Sequence, residues 1–124
     1  MPMDIVGGRT LYSAFADFAE QGSDREWLVF ERGDGEISSW TYGEFLDSIH
    51  RTVNLLAGLG IHKGEVFNLH LSNHPASVQL ILAASYIGVT AMPTNPISTL
   101  DELTYLVEHS ESRAIFTDPG SLDQ

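Results

Sequence analysis

The sequence predicts an α/β fold: a partial, mostly parallel sheet with helices alternating with strands, preceded by an N-terminal β-hairpin. Three observations carry this expectation. Apolar residues recur at helical spacing in separate stretches, and short strand-forming runs bounded by Gly, Pro or Asp lie between them. After the hairpin the order helix–strand repeats to the end of the chain, a pattern that calls for a parallel sheet with right-handed crossovers. The 124 residues, 43% of them apolar, suit one domain or part of one.

Each element has a local cause. Thr10 is a candidate cap for a first helix whose Leu11, Ala14, Phe15, Phe18 and Ala19 form one stripe, with Gly22 to end it. Residues 27–31 and 36–40 read as hairpin strands around Arg32-Gly33-Asp34-Gly35, since Asp-Gly suits the positive φ of a tight turn. Thr41-Tyr42-Gly43-Glu44 is a capping box, in which hydroxyl and carboxylate each satisfy an amide at a helix start. The helix it opens sets Phe45, Leu46, Ile49, Val53, Leu56 and Ala57 on one face, and Gly58 or Gly60 stops it.

Residues 61–64 form a turn, and 66–71 a strand whose Phe67, Leu69 and Leu71 alternate with the mixed set Val66, Asn68 and His70. Asn73-His74-Pro75 is a loop with Pro at the first helical position. The helix over 76–87 is apolar on most sides through Val78, Leu80, Ile81, Leu82, Ala83, Ala84 and Tyr86, and so expects cover on more than one face. Residues 89–92 make a strand closed by Pro93. Pro96 and Ser98 or Thr99 lead into a helix with Leu100, Leu103, Leu106 and Val107 inward and Glu102 at its positive end. Residues 113–117 are the last strand, and Asp118-Pro119-Gly120 a turn.

Charge narrows the function classes. Seventeen carboxylates face six Lys and Arg, for a net charge of −11. The bases Arg9, Arg25, Arg32, Arg51, Lys63 and Arg113 are scattered, so neither nucleic acid nor an anionic membrane is an expected partner. The longest apolar stretch, 75–93, carries Ser77, Gln79, Ser85 and Thr90 and breaks at Gly88, which predicts a helix and a strand rather than a membrane span. Residues 1–10 show no apolar core of a cleaved signal, and there is no cysteine. A cytoplasmic location is the expectation.

The usual marks of chemistry do not appear. Gly33 and Gly35 read as a turn and not a phosphate loop, because no helix starts there and Asp34 and Glu36 would repel phosphate. His70 and His74 are four apart but share no helix face, so no metal site is expected from His50, His62, His70, His74 or His109. No serine sits in a Gly-x-Ser-x-Gly turn, and no carboxylate pair stands out as an acid–base couple.

Several ordered segments nevertheless resemble the start of the adenylate-forming superfamily. They are Ser39-Trp40-Thr41-Tyr42-Gly43-Glu44-Phe45, Gly58-Leu59-Gly60-Ile61-His62-Lys63-Gly64-Glu65-Val66 and Leu71-Ser72-Asn73-His74-Pro75, followed by Ala84-Ser85-Tyr86-Ile87-Gly88-Val89-Thr90-Ala91-Met92-Pro93-Thr94-Asn95-Pro96 and Glu102-Leu103-Thr104-Tyr105-Leu106. Within the superfamily, Ile49-His50-Arg51-Thr52-Val53-Asn54-Leu55-Leu56 and Asn68-Leu69-His70-Leu71 look most similar to crotonobetaine/carnitine-CoA ligases.

The resemblance implies an ATP-dependent acyl-CoA ligase that forms an acyl-adenylate and passes the acyl group to coenzyme A, with ATP, Mg²⁺ and coenzyme A used by the full-length parent. It also implies that residues 1–124 are the N-terminal portion of the large domain, with phosphate loop, ribose-binding Asp, catalytic Lys and C-terminal domain elsewhere. Lys63, the only lysine, sits in a turn and does not match that catalytic Lys. No catalytic residue and no cofactor are therefore assigned to this chain, which is expected to be inactive alone. The remainder of the parent enzyme is the expected partner, and self-association through uncovered apolar surface a further expectation. Asn73, His74 and Asn95 fall at predicted C-terminal ends of strands, where open α/β sheets place ligands, and are the candidate substrate-binding residues, with loop and turn geometry the competing reason for each. A free-standing α/β interaction module and a small flavodoxin-like nucleotide-binding enzyme remain as alternatives.

Overall fold

The computed structural model describes residues 6–122. Its elements run α1 (Leu11–Gln21), β1 (Glu26–Glu31), β2 (Ile37–Thr41), α2 (Tyr42–Gly58), β3 (Val66–His70), α3 (Pro75–Ile87), β4 (Thr90–Pro93), α4 (Leu100–His109) and β5 (Ile115–Thr117), followed by a 3₁₀ turn, Pro119–Ser121. The hairpin β1–β2 is antiparallel and stands apart from a three-stranded parallel sheet of order β4-β3-β5.

Helix starts follow the local chemistry. Thr10, Thr41 and Thr99 each cap a helix with a reciprocal box, using Ser13, Glu44 and Glu102 three residues on. Each such cap contributes about 1 kcal/mol. The hairpin closes where Gly35 adopts φ 88° and the Asp34 carboxylate accepts from the Glu36 amide. At the end of α3, Gly88 takes φ 84°, and a Cβ there would also press 3.0 Å from the Lys63 side chain.

The core forms where α1, α2 and α3 meet one face of the sheet, around Phe15, Phe45, Ile49, Leu56, Phe67, Leu69, Leu80 and Leu82. Phe45 is wholly buried, with the rings of Trp27, Phe15 and Trp40 centred 4.5, 6.0 and 6.3 Å away. It joins the hairpin to α2, and Phe67 meets Phe116 edge-on across β3 and β5.

Several expectations need correction. Leu11 and Phe18 of the first stripe are exposed, as are Ala57 on α2, Tyr86 on α3 and Leu100 on α4. These stripes are wider than the surface available to cover them, and α4 buries none of its residues fully. The strand expected over 66–71 ends at His70, and that over 113–117 begins at Ile115. The turn expected at Asp118-Pro119-Gly120 is present as the 3₁₀ turn, with Asp118 at its start.

The mixed face of β3 is not a solvent face: Asn68 and His70 are as buried as Phe67 and Leu69. The strand order explains why. The chain leaves β3 through α3 to reach β4, then crosses back through α4 to reach β5 on the other side of β3. Crossovers of one hand running in opposite directions put their helices on opposite faces. Accordingly α4 lies over Asn68 and His70, and its Leu100 and Leu103 wall a cavity with His70, Ile115 and Thr117.

Candidate functional site

The reversal of strand order makes β3/β5 a topological switch point, and in open α/β sheets ligands bind in the crevice outside the carboxyl ends of the strands there. In this chain that edge comprises the segments following His70, Pro93 and Thr117. Five residues knit it together. The backbone N–H and the hydroxyl of Ser72 both donate to Asp118 Oδ2, each at 2.8 Å, tying the end of β3 to the end of β5. The Thr94 hydroxyl lies 2.9 Å from His70 Nδ1 and 3.2 Å from Asn68 Oδ1, tying the end of β4 to β3.

Two donated hydrogen bonds hold the Asp118 carboxyl below the usual carboxylate range, assisted by the imidazoles of His74 and His70. Burial and the neighbouring Tyr86 raise the Tyr12 phenol instead, in a cluster between α1, α2 and α3 where Tyr12 Oη meets His50 Nε2 at 2.7 Å.

The structure divides the three candidate residues. Asn73 and His74 line one cavity of about 360 Å³ with Leu28, Phe30, Val78 and Pro93, between the hairpin and the start of α3. Asn95 lines another, of about 530 Å³, with Ile97, Glu102 and Tyr105. His74 Nδ1 accepts from the Ala76 amide and caps α3, and its ring meets Phe30 edge-on at 5.6 Å. Asn95 Oδ1 accepts from the Ile97 amide in a turn. Asn73 makes no side-chain hydrogen bond among the described residues and is exposed at the cavity rim. Ser72, Thr94 and Asn68 lie in the segments that carry the resemblance, but their bonds to one another and to Asp118 and His70 are not written in any motif. The alternation of Asn68 and His70 along β3 was the one visible signal, and it marks a face without naming partners.

A triphosphate fits poorly here. Lys63 precedes β3, at the amino end of the strands, with its stem against Gly88. Arg113, at the start of the β5 segment, is paired with Glu65 at 3.3 Å. Among the described residues the carboxyl edge carries His70 and His74 but no Lys or Arg, while Asp118 adds negative charge. These residues do not supply the cationic donors that nucleotide phosphates need.

The arrangement is nevertheless that of a known class. The N-terminal domain of FACL13 from Mycobacterium tuberculosis shares the fold at TM-score 0.85 and 21% identity, over 93% of this chain and 29% of that one. A benzoate CoA ligase from Burkholderia xenovorans does so at TM-score 0.81 and 23% identity, over 93% of this chain and 22% of that one. The chain thus shares its fold with parts of both proteins.

Residues 15–124 match the model of the AMP-binding enzyme family, and the chain belongs to that family. A crotonobetaine/carnitine–CoA ligase of Salmonella paratyphi A is 33% identical over 115 residues, covering 93% of this chain and 22% of the relative. One from Citrobacter koseri is 32% identical over the same length, with the same coverage. The chain therefore spans 22% of the length of these curated relatives.

Proposed function

We propose that residues 1–124 are the N-terminal portion of the large domain of an adenylate-forming acyl-CoA ligase, with the phosphate loop and C-terminal domain supplied by the remainder of that enzyme. The whole enzyme would use ATP and Mg²⁺ to convert a carboxylic acid to its acyl-adenylate, then transfer the acyl group to the thiol of coenzyme A. Mg²⁺ and positioned donors would stabilise the charge that develops on phosphate. The observation carrying this proposal is the 115-residue alignment that takes in nearly all of this chain and 22% of a CoA ligase. Exposed Ile97, Leu100, Tyr105 and Ile115 around α4 and β5 are surface that the remainder would cover. Asn73, His74 and Asn95 shape the loops facing that remainder, and a cytoplasmic setting fits a chain without cysteine.

Exchange of labelled pyrophosphate into ATP, with carboxylic acids offered, tests the proposal. The 124-residue chain alone should be silent, and a chimera continuing it with the downstream residues of a crotonobetaine/carnitine–CoA ligase should exchange. Exchange by the chain alone would overturn the inactivity of this portion. A natural reading frame stopping at Gln124, with no phosphate loop after it, would favour a free-standing interaction module instead.

A further inference from the structure

We infer that an extended segment from the remainder of the ligase adds a strand to the hairpin along the free edge of β2, an inference that rests on the ligase proposal above. A two-stranded hairpin is marginal by itself in water, and this one shares no ladder with the three-stranded sheet among the described residues. Trp27 and Trp40 anchor it on Phe45. On the side away from that contact, Val29 is 53% and Ile37 64% exposed.

The register says which backbone groups lie on the edge. Arg32 donates to the Glu36 carbonyl at 2.8 Å, so hydrogen-bonded pairs recur at Phe30/Ser38 and Leu28/Trp40. Ile37 and Ser39 fall between them and turn their N–H and C=O away from β1. Both residues are exposed, and no further strand pairs with them among the described residues. Val29 and Glu31 hold the same position on the outer edge of β1.

The two edges differ chemically. Natural edge strands are blunted by charges, Pro or bulges, because an open edge recruits other chains. β1 has Glu at both ends and a register shift between Glu26 and Leu28. β2, Ile37–Thr41, has no charged residue, no Pro and no bulge of its own. Such an edge is one that is paired in the whole protein. Strand addition takes its affinity from main-chain bonds and its specificity from alternate side chains. Ile37 lies diagonal to Val29 on one face, so the incoming strand should set an apolar residue beside it. A second copy is a poor occupant, since each chain carries a net charge of −11. The remainder is the ready one, because this chain spans only 22% of its curated relatives.

Hydrogen exchange on the 124-residue chain and on the chimera described above, read residue by residue by fragmentation mass spectrometry, tests this. The Ser38 and Trp40 amides should be protected in both. Those of Ile37 and Ser39 should exchange freely in the chain alone and about a hundredfold more slowly in the chimera. Ser39→Pro removes only an outward-facing donor, so it should leave the melting temperature of the chain alone nearly unchanged and lower that of the chimera by several degrees. Pyrophosphate exchange by the same chimera reports separately on the ligase proposal, since protection of the edge needs no turnover. Four results would each overturn the inference: Ile37 and Ser39 exchanging equally fast in the chimera, protection at Val29 and Glu31 instead, protection in the chain alone that rises with its concentration, or an equal loss of melting temperature in both backgrounds for Ser39→Pro.

Discussion

Replacing Phe45 by Ala tests whether the hairpin and the three-helix face form one cooperative core. Phe45 is 0% exposed, and its ring is centred 4.5 Å from that of Trp27 and 6.3 Å from that of Trp40. Burial of a ring of this size contributes about 1.5–3 kcal/mol. The hole left behind and the lost edge-on contacts raise the total to about 3–5 kcal/mol. Against a stability of about 5–15 kcal/mol for a domain, that is a large fraction. With a urea slope of about 2 kcal/mol per M, the unfolding midpoint should fall by roughly 2 M.

The assay is local as well as global, because the chain's only two tryptophans both flank Phe45. Their fluorescence should shift to the red in the folded variant and lose its transition at the same urea concentration as the far-ultraviolet circular dichroism. Phe18→Ala is the control: Phe18 is 53% exposed, so about 1 kcal/mol or less should be lost. A loss below 1 kcal/mol for Phe45→Ala, or tryptophan and helix signals melting apart, would refute the single-core argument.

Two further outcomes are expected. Leu82→Asp should abolish folding, since Leu82 is buried on α3 and an unpaired carboxylate there costs several kcal/mol; an unchanged melting curve would show that α3 is not packed. The lowered Asp118 pKa has a definite sign: its stabilisation is complete above the unfolded carboxylate value of about 3.9 and is lost as pH falls through the lower folded value. Ser72→Ala removes one of the two donated bonds, so its melting temperature should fall below that of the natural chain near pH 6, the two curves converging in acid; a gap independent of pH would exclude the clamp as its source.

How much was legible in the sequence depended on the range of the interaction. The three helix caps pair residues three apart, so Thr41 and Glu44, or Thr99 and Glu102, state their bond in the order of the letters. The hairpin is legible for the same reason, because its turn is made by adjacent residues. The candidate site was only half legible. Asn73, His74 and Asn95 do stand at the carboxyl edge, yet they line two different cavities, and two of them are engaged in capping or turn bonds.

The sequence alone determined the elements, their alternation and the family, since these rest on periodicity, capping and segments that keep their order along the chain. Tertiary structure decided which faces are buried and which residues meet. Ser72 and Asp118 are 46 residues apart, and His70 and Thr94 are 24 apart. The first contact exists because β5 returns to the far side of β3, which also puts α4 on the face of Asn68 and His70, and the second because β4 pairs along the other edge of β3. Strand order is set by how crossovers pack on a twisted sheet, and that free energy is summed over the whole assembly, so no short run of residues records it.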